Sequence, residues 1–123
     1  MDDRIQFIEH QGKQILLIDY SHASAQQMLL LLEHVRIKVA QHARESLLIL
    51  ADFSGAVVDR TVATRIKEVL TLDRPFVKKG AWVGTENIPR AFMENFRTFS
   101  QREIVTFKTR EEAMDWLAAE GSG

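Results

Sequence analysis

The sequence predicts an α/β protein, a mixed sheet of about five strands with about four helices and the first strand antiparallel to the rest. Three observations lead there. Short apolar runs at 15–19, 46–52, 80–84 and 103–107 alternate with longer segments whose apolar residues recur every three or four positions. The run at 15–19 follows a shorter strand signal at Ile5, Phe7 and Ile8 across the turn Gln11-Gly12, which reads as an antiparallel hairpin. Every later pair of strands is separated by a helical pattern, which makes the connection a crossover and the strands parallel.

Ile5, Phe7 and Ile8 form the first strand, with polar residues interleaved as suits an edge, whereas ILLID at 15–19 is apolar on both faces and suits an internal position. Ser21 or Ser24 can cap a helix reaching about His42, with Met28, Leu31, Leu32, Val35 and Val39 as its buried stripe. Leu29, Leu30 and Ile37 lie off that stripe, and two readings stand: the stripe is wide, or the helix offers a face to a partner or to a second copy in a homodimer. SLLILAD at 46–52 is apolar throughout, the pattern of a strand covered on both faces. Asp59 caps the next helix, whose stripe is Val62, Ile66, Val69 and Leu70, and which stops before Asp73-Arg74-Pro75 because proline cannot continue it.

Phe76 and Val77 lead through Lys78-Lys79 into the strand GAWVG at 80–84. Thr85 and Asn87 offer caps, and Pro89 suits the first turn of a helix carrying Phe92, Met93, Phe96 and Phe99. The strand EIVTF at 103–107 follows, and Thr109 with Glu112 makes a capping box that opens the final helix, with Ala113, Trp116 and Leu117 inward. The expected organisation is one domain over residues 1–120 and a flexible tail, Gly121-Ser122-Gly123.

A chain of 123 residues that is 46% hydrophobic and 27% charged can bury a core without a metal or a disulfide. Its 16 basic and 17 acidic side chains leave a net charge of -1, which gives no long-range attraction for nucleic acid or an anionic membrane. It has no cysteine, which excludes disulfides, thiolate metal sites and cysteine nucleophiles. MDDRIQFIEH opens polar, unlike a signal peptide, and no apolar run outlasts Met28 to Leu32, so a cytoplasmic protein without integral membrane insertion is expected.

The stretch Ser46 to Thr64 marks a place before it marks a chemistry. A buried strand delivers Asp52 into a turn containing Ser54 and Gly55, and Asp59, Arg60, Thr61 and Arg65 follow at a helix start. In open α/β sheets the crevice beyond the carboxyl ends of the strands is where ligands and partners bind. Ser54 and Gly55 either form a small anion-binding turn or satisfy their own backbone, and they lack the spacing and lysine of a phosphate loop. His10, His22, His34 and His42 never fall at metal-ligand spacing, and no G-x-S-x-G elbow exists. No acid and base pair at a spacing suited to catalysis, so no enzyme and no cofactor is expected. Arg74, Lys78 and Lys79 form a basic cluster beside Phe76 and Trp82, by default a solvated strand rim and otherwise a site for an acidic partner or a lipid headgroup. Phe76, Trp82, Phe92, Met93, Phe96 and Phe99 concentrate aromatic bulk, either as packed core or as an apolar pocket with the 88–99 helix over it.

The segment LLILADFSGAVVD, 47–59, resembles the STAS domain, the fold of bacterial anti-sigma-factor antagonists and of the cytoplasmic tail of sulfate transporters. RPFVKKGAWVG at 74–84 and REIVTFKTREEAMDWL at 102–117 resemble a sub-family of small bacterial STAS-like proteins grouped with the CRAL-TRIO lipid-transfer fold. The resemblance implies a right-handed strand–helix superhelix and a regulatory module that meets a protein partner at residues 52–65, or else a carrier of a lipid-like ligand. It also implies that Thr61 aligns with the hydroxyl that a partner kinase phosphorylates within an Asp-Ser-Ser/Thr-Gly motif. Here Arg60 replaces the first serine and Val62 replaces the glycine, which puts β-branched bulk where a backbone would approach.

Overall fold

The computed structural model of the chain describes residues 2–101 and 104–119. The fold is α/β, as the alternation predicts. Strand β1 (Ile5–His10) runs antiparallel to β2 (Lys13–Asp19), while β2, β3 (Leu47–Asp52), β4 (Val77–Val83) and β5 (Val105–Phe107) run parallel to one another. The order across the sheet is the order of the chain, β1-β2-β3-β4-β5. Helices α1 (Ala25–Val39), α2 (Arg60–Asp73) and α3 (Arg90–Ser100) lie side by side on one face, and α4 (Arg110–Ala118) packs on the other. The expected strand start at Glu103 and the tail 121–123 lie outside the described residues.

Two apolar layers follow from the period-two alternation of the strands. Leu16, Ile18, Ile49, Ala51 and Trp82 meet the α1–α3 layer, whereas Ile15, Leu17, Leu50, Ala81 and Val83 meet Ala113 and Leu117 of α4. Strand β4 keeps this alternation only through an irregularity: Leu47 and Leu48 of β3 pair with Val77 and Lys79, so Lys78 is an extra residue. The strand therefore starts at Val77, three residues earlier than the pattern GAWVG indicated, and ends at Val83. Gly84 leaves the strand at φ 72°, where a Cβ would collide with the backbone and hydroxyl of Ser54.

The helix starts behave as their side chains dictate. Ser24 forms a capping box with Gln27, Asp59 accepts from the Val62 amide at 2.8 Å, and Thr109 accepts from the Glu112 amide at 3.1 Å. Helix α1 buries Met28, Leu31, Leu32, Val35 and Val39, the stripe its spacing predicts. Leu29 is half-buried against that core, while Leu30 and Ile37 are exposed. Pro89 is the residue before α3 rather than within its first turn, and Thr85–Asn87 forms a separate 3-10 turn. Across the hairpin, Gln11 and Gly12 both adopt positive φ, the geometry of a two-residue type I′ turn.

Candidate functional site

Between the sheet and the α1–α2 pair lies a cavity of about 100 Å³. Its floor is Ile18, Ile49, Ala51 and Trp82, and its roof is Leu32 and Val35 from α1 with Ile66, Val69 and Leu70 from α2. Small residues open it. Gly80 stands beside Ile49 in the sheet with no side chain, and a Cβ there would meet only the Val77 side chain at 3.8 Å. An engineered cavity of about 150 Å³ holds a benzene ring, so this one has room for roughly four to six non-hydrogen atoms.

Four polar residues, Tyr20, Asp73, Arg74 and Ser100, also line the cavity. Asp73 continues the buried stripe of α2 by the spacing 62, 66, 69, 73, and it is 8% exposed. Tyr20 is 3% exposed, its ring stacked on Phe53 at 4.9 Å between centroids. Among the described residues neither the Tyr20 hydroxyl nor the Asp73 carboxyl has a hydrogen-bond partner, yet no fully enclosed side-chain polar atom is left unsatisfied. These two groups therefore keep contact with the open volume they line. Burial pushes the Asp73 carboxyl up to about 7, with the charge of Arg36 pulling it partly back. Burial, then the Asp73 charge, drives the Tyr20 hydroxyl well above its ordinary range, so it remains a neutral donor.

At the carboxyl ends of the strands a second arrangement forms. Asp19 and Asp52 are register partners on β2 and β3, and Arg110 at the start of α4 bridges them, Nε to Asp52 Oδ2 at 2.7 Å and Nη2 to Asp19 Oδ1 at 3.2 Å. Ser54 donates its amide to Asp52, and Ser21 donates amide and hydroxyl to Asp19. Burial acts to raise the Asp19 carboxyl, but the Ser21 bonds and the charges of Arg110 and Arg4 outweigh it and hold it below the ordinary value. The β2–α1 and β3–α2 turns are stitched together by His22 N to Ser54 O at 2.8 Å and Val57 N to Ala23 O at 3.0 Å. Arg110→Ala should cost about 2 kcal/mol in urea unfolding at neutral pH, because two adjoining carboxylates lose their shared cation. The Asp19 contribution is present above the ordinary carboxylate pKa and is lost as pH falls through its lowered folded value, so the deficit of the variant should shrink in acid.

No protein-family model and no curated protein matches the chain. The residues themselves carry the assignment of a site.

Of the turn residues expected to meet a partner, Asp52 is buried and committed to Arg110 and Ser54, so it holds the turn and is not presented by it. Gly55, Asp59, Arg60, Thr61 and Arg65 are exposed, and Ser54 is half-buried. The turn amides of Ser54 and Ala56 are already bonded, to Asp52 and to Phe53, which favours the self-satisfied reading over an anion site. Thr61 is the second helical residue of α2, with its neighbouring amide at Val62 taken by Asp59. Arg65 reaches Glu68 at 3.3 Å and Glu33 at 3.8 Å.

The aromatic group divides. Trp82 lines the cavity, Met93 and Phe96 are buried core, Phe76 and Phe92 are half-buried against it, and Phe99 is 58% exposed with Lys67 Nζ 4.9 Å from its ring centroid. The cavity thus lies under α1 and α2, touching α3 only at Ser100. The basic cluster also divides: Lys79 crosses to the other face, where Nζ donates to Trp116 O at 2.6 Å and sits 4.3 Å from its ring, while Lys78 is exposed and Arg74 donates to Gln101. Tyr20, Asp73 and Arg110 escaped the sequence reading. Asp73 was within reach of it, since the buried spacing of α2 runs through it and an acid at a helix C-terminus opposes the helix dipole. Among the described residues no three His, Asp or Glu gather where a metal ion could sit, and no helix is long and apolar enough to cross a membrane.

Proposed function

We propose that the chain is a non-enzymatic, cytoplasmic binding module that carries or senses a small, mainly apolar molecule in the cavity beneath α1 and α2. The observation that carries this reading is the pairing of an apolar cavity with two buried polar groups, Tyr20 and Asp73, that have no partner among the described residues. A core kept only for stability gains by replacing such groups with apolar ones of similar volume. A ligand site needs them, because a few polar groups in an apolar wall fix orientation and choice of ligand. Native mass spectrometry of freshly purified protein should show a bound mass, and Gly80→Val, which fills the floor, should remove it. An apo spectrum together with amide resonances unmoved by benzene would sink the reading.

A second reading, of a regulatory module that meets a protein partner through residues 52–65, is favoured by the exposed residues Gly55, Asp59, Arg60, Thr61 and Arg65 beside a turn held by Asp52, Arg110 and His22. The STAS resemblance adds to it. In that case Arg60→Glu should lose a partner retained by the wild-type chain while melting at the same temperature.

A further inference from the structure

We infer that the polar head taken by this cavity is a protonated aliphatic amine, seated between the Asp73 carboxyl and the Tyr20 hydroxyl, on a body of about four carbons. The inference rests on the cavity being a ligand site, and it follows from what the two groups lack. Asp73 presents two acceptor oxygens and has no donor among the described residues, so a head that only accepts leaves it unmet. An ammonium brings three donors and the charge that a buried carboxylate requires. Tyr20, held neutral, supplies a hydroxyl lone pair to a further N–H.

The surroundings favour a cation as well. Asp73 is the last residue of α2, where the helix dipole presents its negative end. The rings of Tyr20, Phe53 and Trp82, in sequence at 4.9 and 4.5 Å, form an aromatic wall of the cavity that suits the polarised methylene beside an ammonium. The basic side chains nearby are Arg36 and Arg74. Arg36 from α1 pairs with Glu33 at 2.6 Å, and Arg74 is exposed and donates to Gln101 at 3.0 Å. A carboxylate head would instead face the Asp73 charge and the α2 terminus together. An alcohol would offer one donor and leave the charge uncompensated.

Titration of the 15N-labelled chain at pH 8 with n-butylammonium, 1-butanol, butanoate and benzene tests this, read as amide shifts around Tyr20 and Asp73. Butylammonium should bind about tenfold more tightly than 1-butanol or butanoate, the scale of one charge-assisted contact. Asp73→Asn should cost butylammonium about tenfold and 1-butanol little, and Tyr20→Phe, which keeps the ring stacking, should weaken butylammonium about threefold. Equal affinity for the three polar probes, or a preference for butanoate, overturns the amine head while the cavity remains a ligand site. Silence from all four probes, benzene included, overturns the cavity reading itself.

Discussion

Asp73→Asn should stabilise the chain at pH 8 and leave it nearly unchanged at pH 4. The folded-state carboxyl titrates at about 7 against an ordinary 3.8, so between those values the folded chain holds a proton that the unfolded chain has released. The stability associated with the neutral form is complete below the unfolded value and is lost as pH rises through the folded one, a difference on the order of 4 kcal/mol. Asparagine keeps the shape without the charge. It still leaves a polar group in the cavity, so the net gain at pH 8 should be about 2 kcal/mol, or roughly 5–10 °C in Tm. Thermal melts of both proteins at pH 4 and pH 8 separate the possibilities. A variant less stable than wild type at pH 8 would mean that the carboxylate has a structural partner and is no ligand group.

Phe96→Ala should cost about 3–5 kcal/mol, a large share of the stability of a domain this size. Phe96 is fully buried, with its ring 5.8 Å from that of Trp82 and nearly perpendicular to it, at 62°. Three residues on, the same truncation at Phe99 should cost about 0.5 kcal/mol, since that ring is mostly in solvent with Lys67 Nζ over its face. Urea unfolding of the two variants checks the contrast. Near-equal losses would mean that α3 buries its aromatic face uniformly, as the spacing at 92, 96 and 99 predicts.

That spacing shows where the sequence is readable and where it stops. The stripe of α1 and the caps Asp59 and Thr109 come out as expected because each depends on residues within one or two turns of each other. Phe99 departs because α2 covers only part of the α3 surface, and a helix period cannot say how wide its neighbour is. The irregularity at Lys78 depends on the pairing of β3 with β4, which no single run reveals. Arg110 is 58 residues from Asp52, and nothing local announces that the two meet. The place of interest was half legible: the carboxyl ends of the strands are organised by Asp52, but the cavity exists because Gly80, Ala51 and Asp73 come from three elements that touch only once folded.

Because strand order across the sheet equals order along the chain, the sheet can grow by adding each new strand to the edge just made, and early pairings wait for nothing downstream. The α4 face is different. Ile15, Leu17, Leu50, Ala81 and Val83 stay uncovered until Arg110–Ala118 has been synthesised and laid across them, with Asp115 then reaching back to His10. A nascent chain stalled before that point carries a nearly complete sheet with one bare greasy side, which is the form chaperones and proteases recognise. Nine residues of helix therefore decide whether that side of the sheet is bare or covered.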